Sequence, residues 1–452
     1  MNIIIAGCGK VGATLLRKLA TEGHDLTLID LKKNVLESAV EAYDVMGMEG
    51  NCASARVLRE AGVENAQLLI AVAGEDEVNL LCCMVAHGLN PQIHTIARIR
   101  DPEYVEQGRE MRQLFNLSMI INPELQSARE MEHLLKLPGF LRRDSFAKGR
   151  AQIVELRIGA DSKLAGVSLM ELYRTVKCRV LVCTVVRGGK AIIPGGHFVL
   201  EAGDRIYVTA PTENLAELTR NLGLQKRKIR KVLIGGGGKV SFYLAQLLAR
   251  GGCDVTILEK SEARCRELAA ALPGVTVVSG DCSDRSELES QGLSTADAFV
   301  SLTGVDEMNM IISLYASSRD VAKVITKLSR QGSAEMADSL AVGSVVCPRE
   351  LSADSVAQYV RALGNKSGAA LSIHSFADGR AEAAEFSVEE GLPYCGVPLK
   401  QLKLKPGILL ATIARGSGVE IPGGDSVMLP GDVVVVVTTG QGAPQSLREI
   451  FA

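Results

Sequence analysis

The chain has 452 residues, more than a single hydrophobic core usually supports, so at least two domains are expected. Apolar residues make up 47% and charged residues 23%, and a formal net charge of −2 gives no global attraction to nucleic acid. The eleven cysteines are scattered without a CxxC pair, which excludes a zinc site of ordinary spacing and favours a reducing, cytoplasmic setting. The opening MNIIIAG lacks the basic region and apolar core of a signal peptide, and no run reaches the roughly 18 apolar residues of a membrane-spanning helix.

Taken in chain order, residues 3–7 form a short apolar strand, and residues 13–23 set Leu15, Leu16 and Leu19 on one helical face with Gly23 as a C-cap. Residues 26–30 are a second strand. A helix over 32–42, a strand over 45–50, a short helix over 53–61, a strand over 68–74 and a helix over 75–88 follow. Strands over 93–99 and 118–123 complete the series. Continuous apolar strands alternating with helices predict an α/β domain with a parallel sheet covered on both faces. From about Gly149 the pattern changes to strands at 151–158, 178–189, 190–196 and 204–210, separated by glycine-rich turns, with a single short helix near Ser168–Tyr173. This is a small α+β module. Lys226, Arg227, Lys228, Arg230 and Lys231 then read as a solvated linker, with a site for an anionic partner as the alternative.

Beyond the linker the chain repeats itself. NIIIAGCGKVGAT (2–14) returns as KVLIGGGGKVSFY (231–243), AGEDEVN (73–79) as TGVDEMN (303–309), and FAKGRA (146–151) as FADGRA (376–381). IPGGHFVLEAGD (193–204) returns as IPGGDSVMLPGD (421–432). The period far exceeds the roughly 20–50 residues of a solenoid unit. The expected fold is therefore a duplication in the order A–B–A–B: two Rossmann-like parallel-sheet domains (1–135 and 229–362), each followed by a small α+β domain (140–223 and 366–452).

The chemistry sits at Gly7-Cys8-Gly9-Lys10-Val11-Gly12, which follows a strand and opens a helix. Gly7 permits the tight turn, Gly9 lets the backbone approach a pyrophosphate, and Gly12 allows close helix–strand packing. The helix N-terminus offers unpaired N–H groups to phosphate, and Asp30 at the end of the second strand is placed for ribose hydroxyls. That carboxylate would repel a 2′-phosphate, favouring NAD(H) or an adenine nucleotide over NADP(H), although Lys32 and Lys33 weaken the argument. The second copy carries Gly236, Gly237, Gly238, Lys239 and Val240 but has Ser241 for the third glycine and Glu259 for the aspartate. It reads as a nucleotide site of altered affinity, with a degenerate structural copy as the alternative.

A dehydrogenase would need a general acid or base beside the nicotinamide. The six histidines (His24, His87, His94, His133, His197 and His374) show no metal-ligand spacing, and no catalytic residue is assigned. Asp76, Glu77 and Asn79 recur as Asp306, Glu307 and Asn309, either as ligand contacts or as a capped helix start.

These residues bring out a resemblance. The paired fingerprints, Gly50-Asn51-Cys52 and Gly280-Asp281-Cys282, the strand end Ala97-Arg98-Ile99 and both IPGG…GD modules resemble the TrkA family of potassium-uptake regulatory subunits, built from tandem RCK (regulator of potassium conductance) domains. The likeness covers essentially the whole chain. It implies a non-enzymatic switch: a ring-forming homo-oligomer, peripheral on the cytoplasmic face of an integral membrane potassium transporter, whose shape responds to nucleotide. NAD(H) is the favoured ligand, with ATP or ADP as alternatives at one or both sites. Family nucleotide contacts fall on Gly7, Gly9, Gly12, Asp30, Asn51, Ala73 and Arg98, and on Gly236, Gly238, Glu259, Asp281, Thr303 and Lys327. Where some members carry an arginine that reaches a phosphate, this chain has Lys10 and Lys239. The competing reading is an NAD-dependent oxidoreductase using the same fingerprint.

Overall fold

The structure, a computed structural model, describes residues 1–136, 139–224, 228–330, 337, 340, 342–364, 370–377, 380–439, 444 and 446–452. Lys226 and Arg227 of the basic linker, and Asp378 and Gly379 of the repeated FADGRA, lie outside the described residues.

The first lobe runs β1 (Asn2–Ala6), α1 (Lys10–Ala20), β2 (Asp25–Asp30), α2 (Lys33–Ala42), β3 (Met46–Glu49), α3 (Ala55–Glu60), β4 (Leu68–Ala71) and α4 (Asp76–Leu89). It continues with β5 (His94–Arg98), α5 (Pro102–Glu106), α6 (Gly108–Leu114), β6 (Met119–Ile121) and α7 (Pro123–Lys136). The strands pair in parallel in the order β3-β2-β1-β4-β5-β6. Residues 3–6 of β1 and all four of β4 are buried, as central strands covered on both faces must be. Helix α1 buries Val11, Leu15, Leu16 and Leu19, each leucine contributing roughly 1.5–3 kcal/mol. Strand order reverses between β1 and β4, which opens a crevice at their carboxyl ends.

The first α+β lobe comprises β7 (Arg142–Phe146), β8 (Ala151–Arg157), α8 (Leu172–Val176), β9 (Leu181–Arg187), β10 (Lys190–Ile192), β11 (Arg205–Ala210) and α9 (Thr212–Asn221). Its antiparallel sheet has the order β10-β9-β11-β8-β7. The second parallel lobe has β12 (Lys231–Gly235), α10 (Lys239–Arg250), β13 (Asp254–Glu259), α11 (Glu262–Ala271), β14 (Thr276–Ser279), α12 (Arg285–Ser290) and β15 (Ala298–Ser301). After these come α13 (Asp306–Ser318), β16 (Lys323–Lys327), β17 (Ser344–Val346) and α14 (Pro348–Leu363). Its sheet order, β14-β13-β12-β15-β16-β17, repeats the first. The last lobe has β18 (Ala370–Phe376), β19 (Ala381–Ser387), β20 (Ile408–Arg415), β21 (Gly418–Glu420) and β22 (Val433–Thr439).

Three expectations need correcting. The α+β module was expected to hold a single short helix near Ser168–Tyr173. Instead α8 starts at Leu172, and α9 is a second helix burying Leu215, Leu218 and Thr219, a helical spacing hidden among charged neighbours. Among the described residues the last lobe has only 3₁₀ turns, at Leu399–Gln401 and Leu447–Ile450. Strand β7, reading RRDSF, escapes an apolar-run criterion because it is an edge strand paired only with β8. Gly23 does adopt φ +72°, but the residue capping α1 is Thr21.

By packing, the chain falls into two units: Met1–Arg129 with Lys239–Leu244 and Cys347–Tyr359, and the remainder. Within the first unit, Arg17 pairs with Glu350 at 2.6 Å, Lys18 with Asp354, and Gln126 accepts from Ser352 Oγ at 2.6 Å. Much of α14 is thus built onto α1 and α7, and at the start of α10 Tyr243 bonds Asn122 and Arg100 O. Within the second unit, residues of both antiparallel sheets share one core, including Phe146, Tyr207, Phe376 and Val435. Each IPGG…GD turn ends in a buried aspartate gripped bidentately by an arginine. Arg187 holds Asp204 at 2.8 and 2.7 Å, and Arg415 holds Asp432 at the same two distances. The motif was legible in the sequence; its arginine was not. All eleven cysteines are free thiols. No described helix is long and apolar enough to cross a membrane.

Candidate nucleotide site

The loop after β1 is shaped by backbone constraints that its sequence satisfies residue by residue. Gly7 adopts φ +102° and is buried under Ala73, whose backbone nitrogen would stand 2.8 Å from an added Cβ. A Cβ on Gly12 would stand 2.0 Å from the Gly7 carbonyl oxygen. Gly9 is different. It is exposed, has an ordinary φ of −68°, and an added Cβ would meet nothing within 4 Å. The space above Gly9 is open, as it is at Gly74 across the crevice. No side chain caps α1, so its N-terminal dipole and amides face that space. The residues present fit a dinucleotide pyrophosphate.

Asp30 ends β2, half-buried, and its carboxylate accepts from Cys8 N at 2.7 Å and Lys32 N at 2.9 Å. Sequence reasoning gave it a ribose; the structure gives it a second task, bracing the glycine loop. Each carboxylate oxygen retains a lone pair for a ribose hydroxyl. Burial, and then the Asp30 charge, push the Cys8 thiol up, so it is no nucleophile. Lys10 is exposed at the helix start and Val11 is core.

At the carboxyl ends of β4 and β5, Asn79 is fully buried. It accepts from Ala73 N at 2.7 Å and donates to Ala73 O at 3.3 Å and Arg98 O at 3.0 Å. Asp76 accepts from Arg100 N and Asp101 N at 2.7 and 2.8 Å. These two residues stitch the loops together; neither supplies the cap of α4, whose N-cap is Glu75. The Arg98 guanidinium donates to Ala73 O at 2.5 Å, and burial with the neighbouring Arg100 charge lowers its pKa. Asn51 is exposed at the end of β3, where its side chain accepts from Ala53 N. Gly7, Gly9, Asp30, Asn51, Ala73 and Arg98 all lie on the carboxyl side of this one sheet.

The second copy reproduces the frame with different chemistry. Glu259 accepts from Gly237 N at 2.6 Å and Ser261 N at 2.8 Å, the same brace on a longer side chain. Gly237 stands where the first copy has Cys8, and an added Cβ would lie 2.6 Å from Leu268. The first copy tolerates cysteine there because the position of Leu268 is filled by the smaller Ala39. Gly238 is open like Gly9 and precedes exposed Lys239 at the start of α10, while Ser241 is fully buried. Asn309 joins Thr303 and Lys327 O as Asn79 joins Ala73 and Arg98 O. Two features escaped sequence reasoning. Lys260 pairs with Asp281 at 2.8 Å and, as its chief cause, holds that carboxyl well below the usual range. Arg264 Nε donates to Gly237 O at 2.8 Å. Their counterparts are Leu31 and Asn51 for the pair, and Val35 for the arginine, so only the first copy leaves an apolar residue exposed beside its acid.

The family models agree with the duplicated layout. The TrkA-N domain matches residues 3–123 and 232–348, and the TrkA-C domain residues 153–223 and 383–452. The chain belongs to the TrkA family. The Trk system potassium uptake protein TrkA homolog of Archaeoglobus fulgidus is 31% identical over 451 residues, 100% of each chain. The Trk system potassium uptake protein TrkA of Haemophilus influenzae is 30% identical, with 100% of this chain and 98% of that one covered. Among solved structures, the GsuK RCK domain superposes with a TM-score of 0.61 at 17% identity, covering 97% of this chain and 92% of that one. The GsuK channel bound to NAD gives 0.61, covering 97% and 77%. That likeness establishes the tandem RCK fold, with TrkA-N lobes of Rossmann type each followed by a TrkA-C lobe.

Proposed function

We propose that the chain is a nucleotide-binding regulatory subunit of a membrane potassium-uptake system. NAD(H) is the favoured ligand of its first site, and ATP or ADP the alternative there or at the second. The observation that carries the reading is the open, uncapped glycine loop at Gly9 braced by Asp30. Relatives named as Trk potassium-uptake proteins, and neighbours described as the GsuK channel bound to NAD and GsuK bound to ADP, support it. The four lobes (1–135, 140–223, 229–362 and 366–452) are its working domains. It acts as a homo-oligomeric ring, peripheral on the inner face of the membrane, where nucleotide biases the ring between shapes according to its differential affinity for them. We assign no turnover, because at the carboxyl edge Asn79 and one oxygen of Asp76 are engaged by backbone and the other Asp76 oxygen pairs with Arg100 at 3.5 Å.

Replacing Asp30 with alanine removes both the ribose acceptor and the brace on Cys8 N. Nucleotide binding should weaken by roughly 1.5–3 kcal/mol, the range for charge-assisted bonds. Calorimetry that found unchanged affinity would refute the assignment. The two copies should also titrate as distinct classes, because Lys260 and Arg264 have no counterparts in the first. Identical affinity and nucleotide preference at both sites would count against this reading.

The physiological test deletes the gene and measures potassium uptake at limiting external potassium, then restores wild type or the Asp30→Ala chain. Uptake should fall on deletion, return with wild type and return altered with the variant. Unchanged uptake in every strain, with sustained NAD(H)-dependent reduction of a small substrate, would establish the oxidoreductase instead.

A further inference from the structure

The first lobe holds a second concavity, separate from the glycine loop, between α6 and the start of α7. It measures about 640 Å³, within the roughly 300–1,000 Å³ range of small-molecule sites. Val105, Leu117, Ile120 and Leu125 give it an apolar floor, and Arg109, Arg112 and Arg129 stand in its walls. No acidic side chain is among its described walls. Arg112 is held by backbone, donating to Ser118 O at 2.8 Å, and keeps further N–H donors. Arg109 and Arg129 have no hydrogen bond or ion pair among the described residues. Gln126 is fixed by Ser352 and Ser355, and Asn122 by Tyr243 and Leu125 N, so the polar part of the wall is already ordered.

Three guanidiniums line one cavity whose described walls hold no carboxylate to neutralise them. The duplicated copy does not repeat these arginines in its sequence. Its segment 331–343 contains no arginine or lysine, and Asp354 stands where Arg129 does, six residues into the helix that begins at Pro348 rather than Pro123. The arginines are therefore particular to this cavity rather than to the architecture.

We propose that this cavity is an effector site for a small organic polyanion, a molecule carrying two or more phosphate or carboxylate groups on a compact body. The arginine forks bind the anionic groups bidentately, and the apolar floor takes the carbon skeleton. The site is independent of the nucleotide loops. Binding there bears on the first unit directly, because α7 also carries Gln126, which holds Ser352 and Ser355 of α14.

The test is calorimetry on the full chain with inorganic pyrophosphate, citrate and fructose 1,6-bisphosphate in turn. At least one should bind once per chain, more weakly as salt rises. Its affinity should drop at least about tenfold in Arg109→Ala and in Arg129→Asp, two exposed positions whose substitution leaves the core intact. Binding should persist in a Gly9→Ala/Gly238→Ala chain, which closes both glycine loops. The proposal is overturned if no probe binds with a Kd below about 1 mM, the weak end of specific affinity. It is equally overturned if neither arginine substitution matters, or if the glycine substitutions abolish binding.

Discussion

Substituting Gly9 and Gly12 separately with alanine is expected to divide binding from folding. At Gly9 the new methyl meets nothing in the protein and stands in the space a pyrophosphate would occupy. Thermal stability should not change, while nucleotide affinity falls by about 1–3 kcal/mol, the usual cost of overpacking, or roughly 5- to 150-fold. At Gly12 the methyl collides with the Gly7 carbonyl at 2.0 Å, backbone against backbone, so the loop itself must move. Destabilisation of about 3 kcal/mol or more is expected there, together with loss of binding. Differential scanning calorimetry and nucleotide titration of both variants check this. Equal stability losses in the two, or full affinity in Gly9→Ala, would contradict the geometry.

The second large effect concerns pH. Lys323 begins β16 fully enclosed, donating to Phe140 O at 2.5 Å and Ser344 Oγ at 2.8 Å. Burial lowers its pKa from the ordinary 10.5 to about 7, against the Glu130 charge, which acts to raise it. Burial in turn raises the Glu130 pKa, which Arg143 opposes. A neutral amine keeps two N–H donors, enough for these two acceptors. Between pH 7 and about 10 the unfolded chain binds a proton that the folded chain does not, so stability rises with pH, by up to about 1.4 kcal/mol per unit. Below pH 7 both states are protonated and the slope vanishes. From pH 7 to 9 the wild type should therefore gain about 2–3 kcal/mol relative to Lys323→Met, as measured by urea unfolding. Parallel pH profiles for the two proteins would show that the lysine stays charged inside the fold.

Much of the fold was readable because parallel strands buried on both faces announce themselves as apolar runs, and because every run occurs twice. Gly7, Gly12 and Asp30 were readable because their tasks are backbone tasks, set by φ, by clearance and by a strand end. What stayed hidden depends on partners distant in sequence. Nothing local marks Arg264 as a clamp on Gly237, or Arg187 as the holder of Asp204. Strand β7 hid because an edge strand keeps its charges, and α9 because glutamates and arginine obscure its buried stripe. Asp76 and Asn79 were recognised by recurrence, but only the structure showed that they join loops.

The bridge from Arg17 to Glu350 spans 333 residues, and it lies inside one packed unit. During synthesis at roughly 5–20 residues per second, α1 would emerge tens of seconds before its partner exists. Over that interval the faces of α1 and α7 that receive α14 have no cover of their own. The amino-terminal sheet can form early, but its unit closes only when residues 347–359 leave the ribosome. Duplication here has produced no pair of beads that ripen in turn: the earliest-made sheet is finished by a segment of the second copy, with only the last lobe still to be translated.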